Sequence, residues 1–375
     1  MKFTISWLKE HLETTAADEE IVAKLTALGL EVEEYTDTSK IFSDFVVGQV
    51  LEEGKHPNAD KLKVCKVDIG TAKVDVVCGA PNVEKGMKVV YAPPGSTIPV
   101  NQMKLKAAKI RGVESSGMMC SEYELGISDN HEGIIRLKDD SKIGQPYSEI
   151  AGMDDVVIEI GITPNRQDCL GVFGIARDLA ASGLGKLKTR KNNGQKGSIK
   201  SPINIETKDA DLCPVFAGRY FKGVKNVKSP DWLQQKLKAV GLRPISALVD
   251  ITNFVMLDLN RPLHVYDADK IDGKIIVRES KKGESFNALD EKSYDLKEGM
   301  CAIADEKKVL GLGGIMGGES SGCNESTKNV ILESALFNPI NISKSGRNLS
   351  ILSDARYRFE RGVDPQSVLI GIDRA

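Results

Sequence analysis

The sequence predicts an α+β chain of several domains. A small barrel of short strands is inserted into an α/β N-terminal part, and a larger mixed α+β block follows. Three observations lead there. At 375 residues the chain is long enough for two to three domains. Its apolar periodicity turns from helical to alternating near Ile41 and changes again near Met153. A stretch rich in Gly, Lys and Asn, 185–200, then reads as a linker.

Residues 1–40 open with a short helix, for which Ser6 is a fair N-cap and Trp7, Leu8 and Leu12 are buried candidates. A second helix near Asp18 to Leu28 carries Ile21, Val22, Leu25 and Leu28 on one face and stops at Gly29. This piece is too small to stand alone. The strand Val156–Ile160 and a helix from about Val172 to Ala181 are expected to return and pack on it.

Between them lie Phe45–Leu51, Leu62–Ile69, Val74–Cys78 and Met87–Tyr91, short strands separated by turns at Pro57–Asp60, Gly79–Asn82 and Pro93–Gly95. Strands of that length and spacing imply a small closed or nearly closed barrel, and an OB-fold is the size-appropriate type. After Pro202 comes the largest block. Phe216–Gly223, Ile275–Val277, Cys301–Ala304 and Val330–Leu332 read as strands. Helices start near Ser229 and Ser246, and others follow Asn338 and Ser353.

Composition excludes some functions. The hydrophobic fraction of 41% and charged fraction of 28% are those of an ordinary globular protein, and a net charge of −2 makes no polyelectrolyte. Charge is nevertheless clustered. Lys85, Lys88, Lys104, Lys106, Lys109 and Arg111 run without an acidic residue among them. Lys186, Lys188, Arg190, Lys191, Lys196 and Lys200 do the same. Such stretches can bind a phosphate backbone, although a solvated lysine face is the plainer reading. The seven scattered cysteines lack a CxxC pair and fit a reducing, cytoplasmic setting. The N-terminus has no secretory h-region, and no apolar run is long enough to span a membrane.

One constellation could carry chemistry. His264, one of four histidines, follows Asn260-Arg261-Pro262-Leu263 just where an apolar helical pattern breaks. Downstream lies a glycine run, Gly311 to Gly318, and then an apolar strand, Asn329–Leu332, expected to end at Glu333. A histidine, a glycine-rich backbone and a carboxylate make a pocket. Taken singly, each has a plainer reading: a structural histidine, turn glycines, a surface ion pair. His56 and His131 have no second ligand at a metal-site spacing and read as turn residues, so no metal site is expected.

Several phrases resemble known families. His56–Leu62, Val77–Asn82, Arg111–Ser115, Gly117–Glu122 and Asp129–Gly133 look like the tRNA-binding OB module appended to aminoacyl-tRNA synthetases. Further phrases are Thr163–Gly171, Asp250–Met256, Arg261–His264, Gly313–Glu319 and Arg358–Pro365. Together they resemble the β subunit of bacterial phenylalanyl-tRNA synthetase, from Met1 to the last residue.

That resemblance implies three domains: a small α/β domain of 1–40 plus 148–196, an inserted OB-fold tRNA-binding domain of 41–147, and a mixed α+β tRNA-editing domain of 202–375 with the start of the following region. It implies tRNA(Phe) and the α subunit of an α2β2 enzyme as partners. ATP and Mg2+ would serve the whole enzyme through regions absent here, with no cofactor in this segment. The first basic run supplies the expected tRNA contacts, Lys104, Lys106, Lys109 and Arg111. The implied catalytic residues are His264, which orients the ester or a water, and Glu333, which accepts the phenol proton of tyrosine. Thr252, Asn253, Gly313, Gly314, Gly317, Ser353 and Ala355 would line the pocket, with Ser353 standing where the family carries threonine.

The chemistry fits the need. An apolar phenylalanine pocket rejects an added hydroxyl by only about a hundredfold, so a second, hydrolytic site is the expected remedy. Two other readings stay open: a tRNA-positioning scaffold without catalysis, and an unrelated hydrolase or metalloenzyme that borrowed the barrel.

Overall fold

The strand alternation has a direct structural counterpart. In the computed structural model, which describes residues 1–152, 154–189, 194 and 196–375, the chain forms two compact units, 36–156 and 1–35 with 157–375. Arg190 and Lys191, and with them part of the expected linker, lie outside the described residues.

In the unit 36–156 five antiparallel strands lie in the order Met118–Met119, Lys88–Ala92, Val46–His56, Ala59–Asp68, Lys73–Cys78. The strand Lys88–Ala92 is buried on both faces. Val89 and Tyr91 pack with Val50, Val67 and Val76, whereas Val90 and Ala92 pack with Phe45, Val47 and Tyr147. Its unbroken Val-Val-Tyr-Ala run is what a strand covered on both sides requires.

The pairing does not close into a barrel. No ladder among the described residues joins Lys73–Cys78 to Met118–Met119. The chain instead bends at Gly117 (φ +100°), where a Cβ would lie 2.4 Å from the Ala92 carbonyl oxygen. Two hydrogen bonds, Ser116 N–H to Asp75 O at 2.8 Å and Val77 N–H to Ser115 Oγ at 3.1 Å, stand where the closing ladder would run.

In the other unit Lys2–Thr4 pairs with Val156–Ile160, which is flanked on its far side by Val32–Asp37. The first helix, Ile5–His11, is capped by Thr4 rather than by Ser6, because Thr4 Oγ1 accepts from Trp7 N–H at 3.2 Å. Trp7 and His11 from this helix converge on Asp258, which is fully buried. Asp258 accepts from Trp7 Nε1–H at 2.8 Å and Arg374 Nε–H at 2.9 Å, and it meets His11 Nε2 at 2.6 Å. Burial opposes its ionisation, but the partners, His11 foremost, hold its carboxyl below the usual range.

Two larger sheets build most of the rest. One has five strands in the order Ile205–Thr207, Ile275–Glu279, Cys301–Ala304, Val309–Leu312, Met316–Gly317. The other has three, Val215–Lys222, Asn329–Leu336 and His264–Asp267. Asn329–Leu336 is the central strand of the second sheet, so Glu333 sits mid-strand and not at the strand end the sequence suggested. Its residues alternate as a two-faced strand must. Val330 and Leu332 pack with Val265 and Ile372 on one face, while Ile331 and Ala335 join Tyr266 and Phe337 in the main core on the other. Glu333 shares the parity of Ile331 and Ala335.

Candidate functional site

The break before His264 is built from three residues. The helix Ala247–Leu259 ends at Asn260 in the left-handed conformation (φ +54°), a conformation asparagine tolerates. Pro262 cannot continue a helix. Between them Arg261 is fully buried. Its guanidinium donates to Ala335 O at 2.8 Å, to Ser367 Oγ at 2.9 and 2.6 Å, and to Asp364 O. That clamp turns the chain from helix into the short strand His264–Asp267.

The strand then fixes the site by register. His264 lies directly opposite Glu333, and Tyr266, two residues along, shares their face of the sheet. The Tyr266 phenol donates to Glu333 Oε2, and its ring meets the His264 imidazole edge-on at 4.5 Å between centroids. Among the described residues His264 Nε2 is buried without a hydrogen-bond partner. Gly317 faces it so closely that a Cβ there would lie 2.3 Å from His264 Cε1.

These residues line a cavity of about 70 Å³ with Gly314, Ala355, Leu312 and Met316. Ligand pockets for whole small molecules run to roughly 300–1,000 Å³. This cavity is therefore a slot for one side chain, with the remainder of any ligand outside it.

Burial sets the protonation states. It pushes Glu333 up to about 7, against the phenol hydrogen bond, which favours the carboxylate. It pulls His264 down to about 4, so the imidazole is neutral near neutrality. A base that weak is a poor proton acceptor from water, and a hydrogen-bonding, orienting role suits it better. Tyr266 is held well above the usual phenol range by burial and by the neighbouring carboxyl, so it remains a donor.

Of the residues expected here, His264, Glu333, Gly314, Gly317 and Ala355 come together at the cavity. Gly313 does not line it; a Cβ there would strike Phe337 at 2.8 Å and Cys301 Sγ at 3.0 Å, so its role is close packing. Ser353 caps the helix Asp354–Phe359 by accepting from Arg356 N–H at 3.1 Å and donates to Ile315 O at 2.7 Å, one step behind the cavity wall. Thr252 and Asn253 lie on the helix Ala247–Leu259 and do not line the cavity, and Thr252 Oγ1 donates to its own helix at Val249 O. Tyr266 escaped the sequence reading, although the period of two from His264 along a strand points to it.

Lys104, Lys106, Lys109 and Arg111 are all exposed on the unit 36–156. Lys109 has Glu114 at 3.8 Å, a weak exposed pair that leaves its charge available. Lys88 belongs to the same basic run, but its ammonium donates inward to Ser141 O. His56 is a turn residue, bonding Ile110 O through Nε2 at 3.0 Å and accepting from Asn58 N–H at Nδ1. His131 is exposed and meets Asp129 O at 3.0 Å.

Among the described residues, Asp168, Cys169 and Asp178 are grouped as metal ligands could be. The guanidinium of Arg166 takes the cation's place, donating to both carboxylates and, at 2.9 Å, to Cys169 Sγ.

Residues 45–146 match the family described as a putative tRNA binding domain, and residues 212–375 match the B3/4 domain. The chain is 53% identical over 377 residues to the phenylalanine–tRNA ligase beta subunit of Rhodopseudomonas palustris, and 54% over 379 residues to that of Paramagnetospirillum magneticum. Each match takes in 100% of this chain and 47% of the relative, so the chain spans about half the length of the curated relatives it matches. Among solved structures, an N-terminal fragment of the phenylalanyl-tRNA synthetase beta subunit from Pyrococcus horikoshii aligns at 18% identity with a TM-score of 0.31, over 48% of this chain and 56% of that one. That likeness is too low to carry an argument. Over its whole length the chain is similar to about half of each phenylalanine–tRNA ligase beta subunit it matches.

Proposed function

We propose that this chain binds tRNA(Phe) and hydrolyses tyrosine from mischarged tyrosyl-tRNA(Phe). Aminoacylation itself belongs to the whole enzyme, with ATP, Mg2+ and an α subunit in an α2β2 assembly. The observation that carries the proposal is Glu333, a buried acid directly opposite His264 over a slot of single-side-chain size. A tyrosyl phenol entering the slot gives the open carboxyl oxygen a partner. A phenylalanyl ring leaves it dry and unpaired, which costs on the order of 1–3 kcal/mol or more.

Hydrolysis then needs little from the protein. A water oxygen adds to the ester carbonyl carbon, the bond to the terminal ribose oxygen breaks, and that oxygen takes the proton as tyrosine leaves. Neutral His264 orients the ester or the water by hydrogen bonding through Nε2. Gly314 and Gly317 let backbone come close to the aminoacyl group, and the neighbouring ribose hydroxyl of the tRNA assists the attack.

The curled sheet of 36–156 is read as an OB-type tRNA-binding fold, with Lys104, Lys106, Lys109 and Arg111 on phosphates. The segments 1–40 plus 148–196 and 202–375 are read as two further domains. The test is release of tyrosine from tyrosyl-tRNA(Phe), with phenylalanyl-tRNA(Phe) as control, by this chain within a full β subunit and its α partner. Selective release that Glu333→Ala and His264→Ala each abolish supports the proposal. Absence of release from the intact assembly makes the chain a tRNA-positioning scaffold.

A further inference from the structure

We infer that Tyr266 is a positioning residue: its hydroxyl holds one oxygen of Glu333 so that the other alone is presented to the phenolic side chain in the cavity. This rests on the reading of the cavity as a tyrosyl-ester site.

The sheet makes the contact unavoidable. Tyr266 is the diagonal neighbour of Glu333 across an antiparallel pair, within reach of a long side chain. Both residues are almost fully buried. The phenol donates to Oε2, while Oε1 accepts no hydrogen bond among the described residues. The His264 ring stands edge-on at 4.5 Å against Tyr266, so the phenol is itself held from the side.

A glutamate carboxylate turns broadly about its last torsion when nothing holds it. Anchoring one oxygen removes that freedom and leaves a single acceptor direction. The anchor is also chemically the same as the ligand: a phenol O–H on a carboxyl oxygen. Two phenols can share one carboxylate, one on each oxygen, because a carboxylate has about four acceptor sites. In the empty protein one of the two is present, and the tyrosyl substrate supplies the second.

The hydroxyl has a second consequence, for charge. A donor on the carboxylate favours its ionised form. Other titratable groups bearing on the pair are His264 on the same strand and the thiols of Cys213 and Cys301, both pushed upward by burial. Among the described residues no other ionisable side chain lines the cavity. Tyr266 is thus the one lining side chain that supports a charge on Glu333.

The test is Tyr266→Phe in the full β subunit with its α partner. The substitution keeps the ring and its packing and removes one oxygen. Tyrosyl-tRNA(Phe) hydrolysis at about pH 7 is expected to fall about tenfold, with the rising limb of its pH profile moved up by about one unit. Activity returns to within about threefold at about pH 8.5, after subtraction of the enzyme-free blank. The ratio of tyrosyl to phenylalanyl hydrolysis falls with it. A merely structural loss would depress the rate equally at every pH and would overturn the inference, as would an unchanged profile.

Isotope-edited infrared titration of the Glu333 carboxyl in wild type and Tyr266→Phe gives a readout without substrate. A midpoint that stays put overturns the inference even if the assembly never releases tyrosine. Conversely, a profile unmoved by Tyr266→Phe in an assembly that loses activity with Glu333→Ala removes this inference and leaves the proposed function standing.

Discussion

Glu333 and His264 perturb stability in opposite senses, and single replacements should separate them. Burial raises Glu333 from 4.5 to about 7. Between those values the folded state keeps a proton that the unfolded state has released, so stability falls as pH rises, by about 1.4 kcal/mol per pH unit. The stabilising contribution is complete below about pH 4.5 and gone above about pH 7, a total of about 3 kcal/mol. Burial lowers His264 from 6.5 to about 4. There the unfolded state binds the extra proton, so stability rises with pH over about 4 to 6.5, with the same slope. In wild type the two slopes oppose each other across about pH 4.5–6.5 and largely cancel.

Glu333→Gln removes one slope and His264→Asn the other. Urea midpoints of each variant and wild type, taken at steps from about pH 4.5 to 7, give difference curves in which other titrating groups drop out. The Glu333→Gln difference should grow more favourable to the variant as pH rises. The His264→Asn difference should grow more favourable to the variant as pH falls. Flat curves for both would mean that neither group is held in its neutral form by burial, and the electrostatic account of the cavity would be wrong.

Gly317→Ala puts a Cβ 2.3 Å from His264 Cε1, where carbon contacts ordinarily sit at about 3.5–4.0 Å. The imidazole must move by about 1 Å, and tyrosine release is expected to fall about a hundredfold while the melting temperature drops by only a few degrees. Arg261→Met removes the buried donors to Ala335 O and Ser367 Oγ, while Asp364 O keeps Ser367 as its donor, and should cost about 1–3 kcal/mol in urea unfolding. Neutralising Lys104, Lys106, Lys109 and Arg111 together should weaken tRNA binding and flatten its salt dependence in filter-binding titrations; an unchanged slope would move the contact elsewhere.

Much of this site was legible in the sequence because its parts obey short periods. His264 could be found because asparagine, arginine and proline interrupt a helix in front of it, and Gly317 because it belongs to a dense glycine run; that its missing Cβ makes room for the His264 ring shows only in the structure. What was not legible depended on pairing between distant segments. The run Val330-Ile331-Leu332 looked finished at Glu333, since a charged residue in a central strand contradicts the apolar pattern. Only the register with His264–Asp267 shows that the acid continues the buried face. Tyr266 was hidden by the same fact, because its partner lies across the sheet. Thr252 and Asn253 illustrate the converse. They sit close to His264 in sequence, yet the turn at Asn260–Pro262 separates their helix from the cavity lining. The expected barrel does not close by a strand ladder among the described residues, because the chain bends at Gly117, whose contacts are with Tyr91 and Ala92 some twenty-five residues earlier.

On the proposed function, the cavity's selectivity follows from two groups on its wall. Among the described residues His264 Nε2 is buried with no partner, and Glu333, which lines the slot, has one oxygen outside the Tyr266 hydrogen bond. The first is a cost to the folded chain, and both gain from a ligand with a hydrogen-bonding group at the right depth. A phenylalanyl ring fills the same apolar volume and relieves the histidine through its ester, but not the carboxyl. Discrimination therefore rests on the unpaired state that one ligand leaves behind, more than on the attraction of the other. This is how a site lined mostly by Leu, Met, Ile and Gly can tell two side chains apart by a single oxygen. The arrangement tolerates little rearrangement, because the strand that carries Glu333 is central to its sheet. A mobile loop could collapse onto the gap and satisfy the carboxyl itself; a strand hydrogen-bonded on both edges cannot.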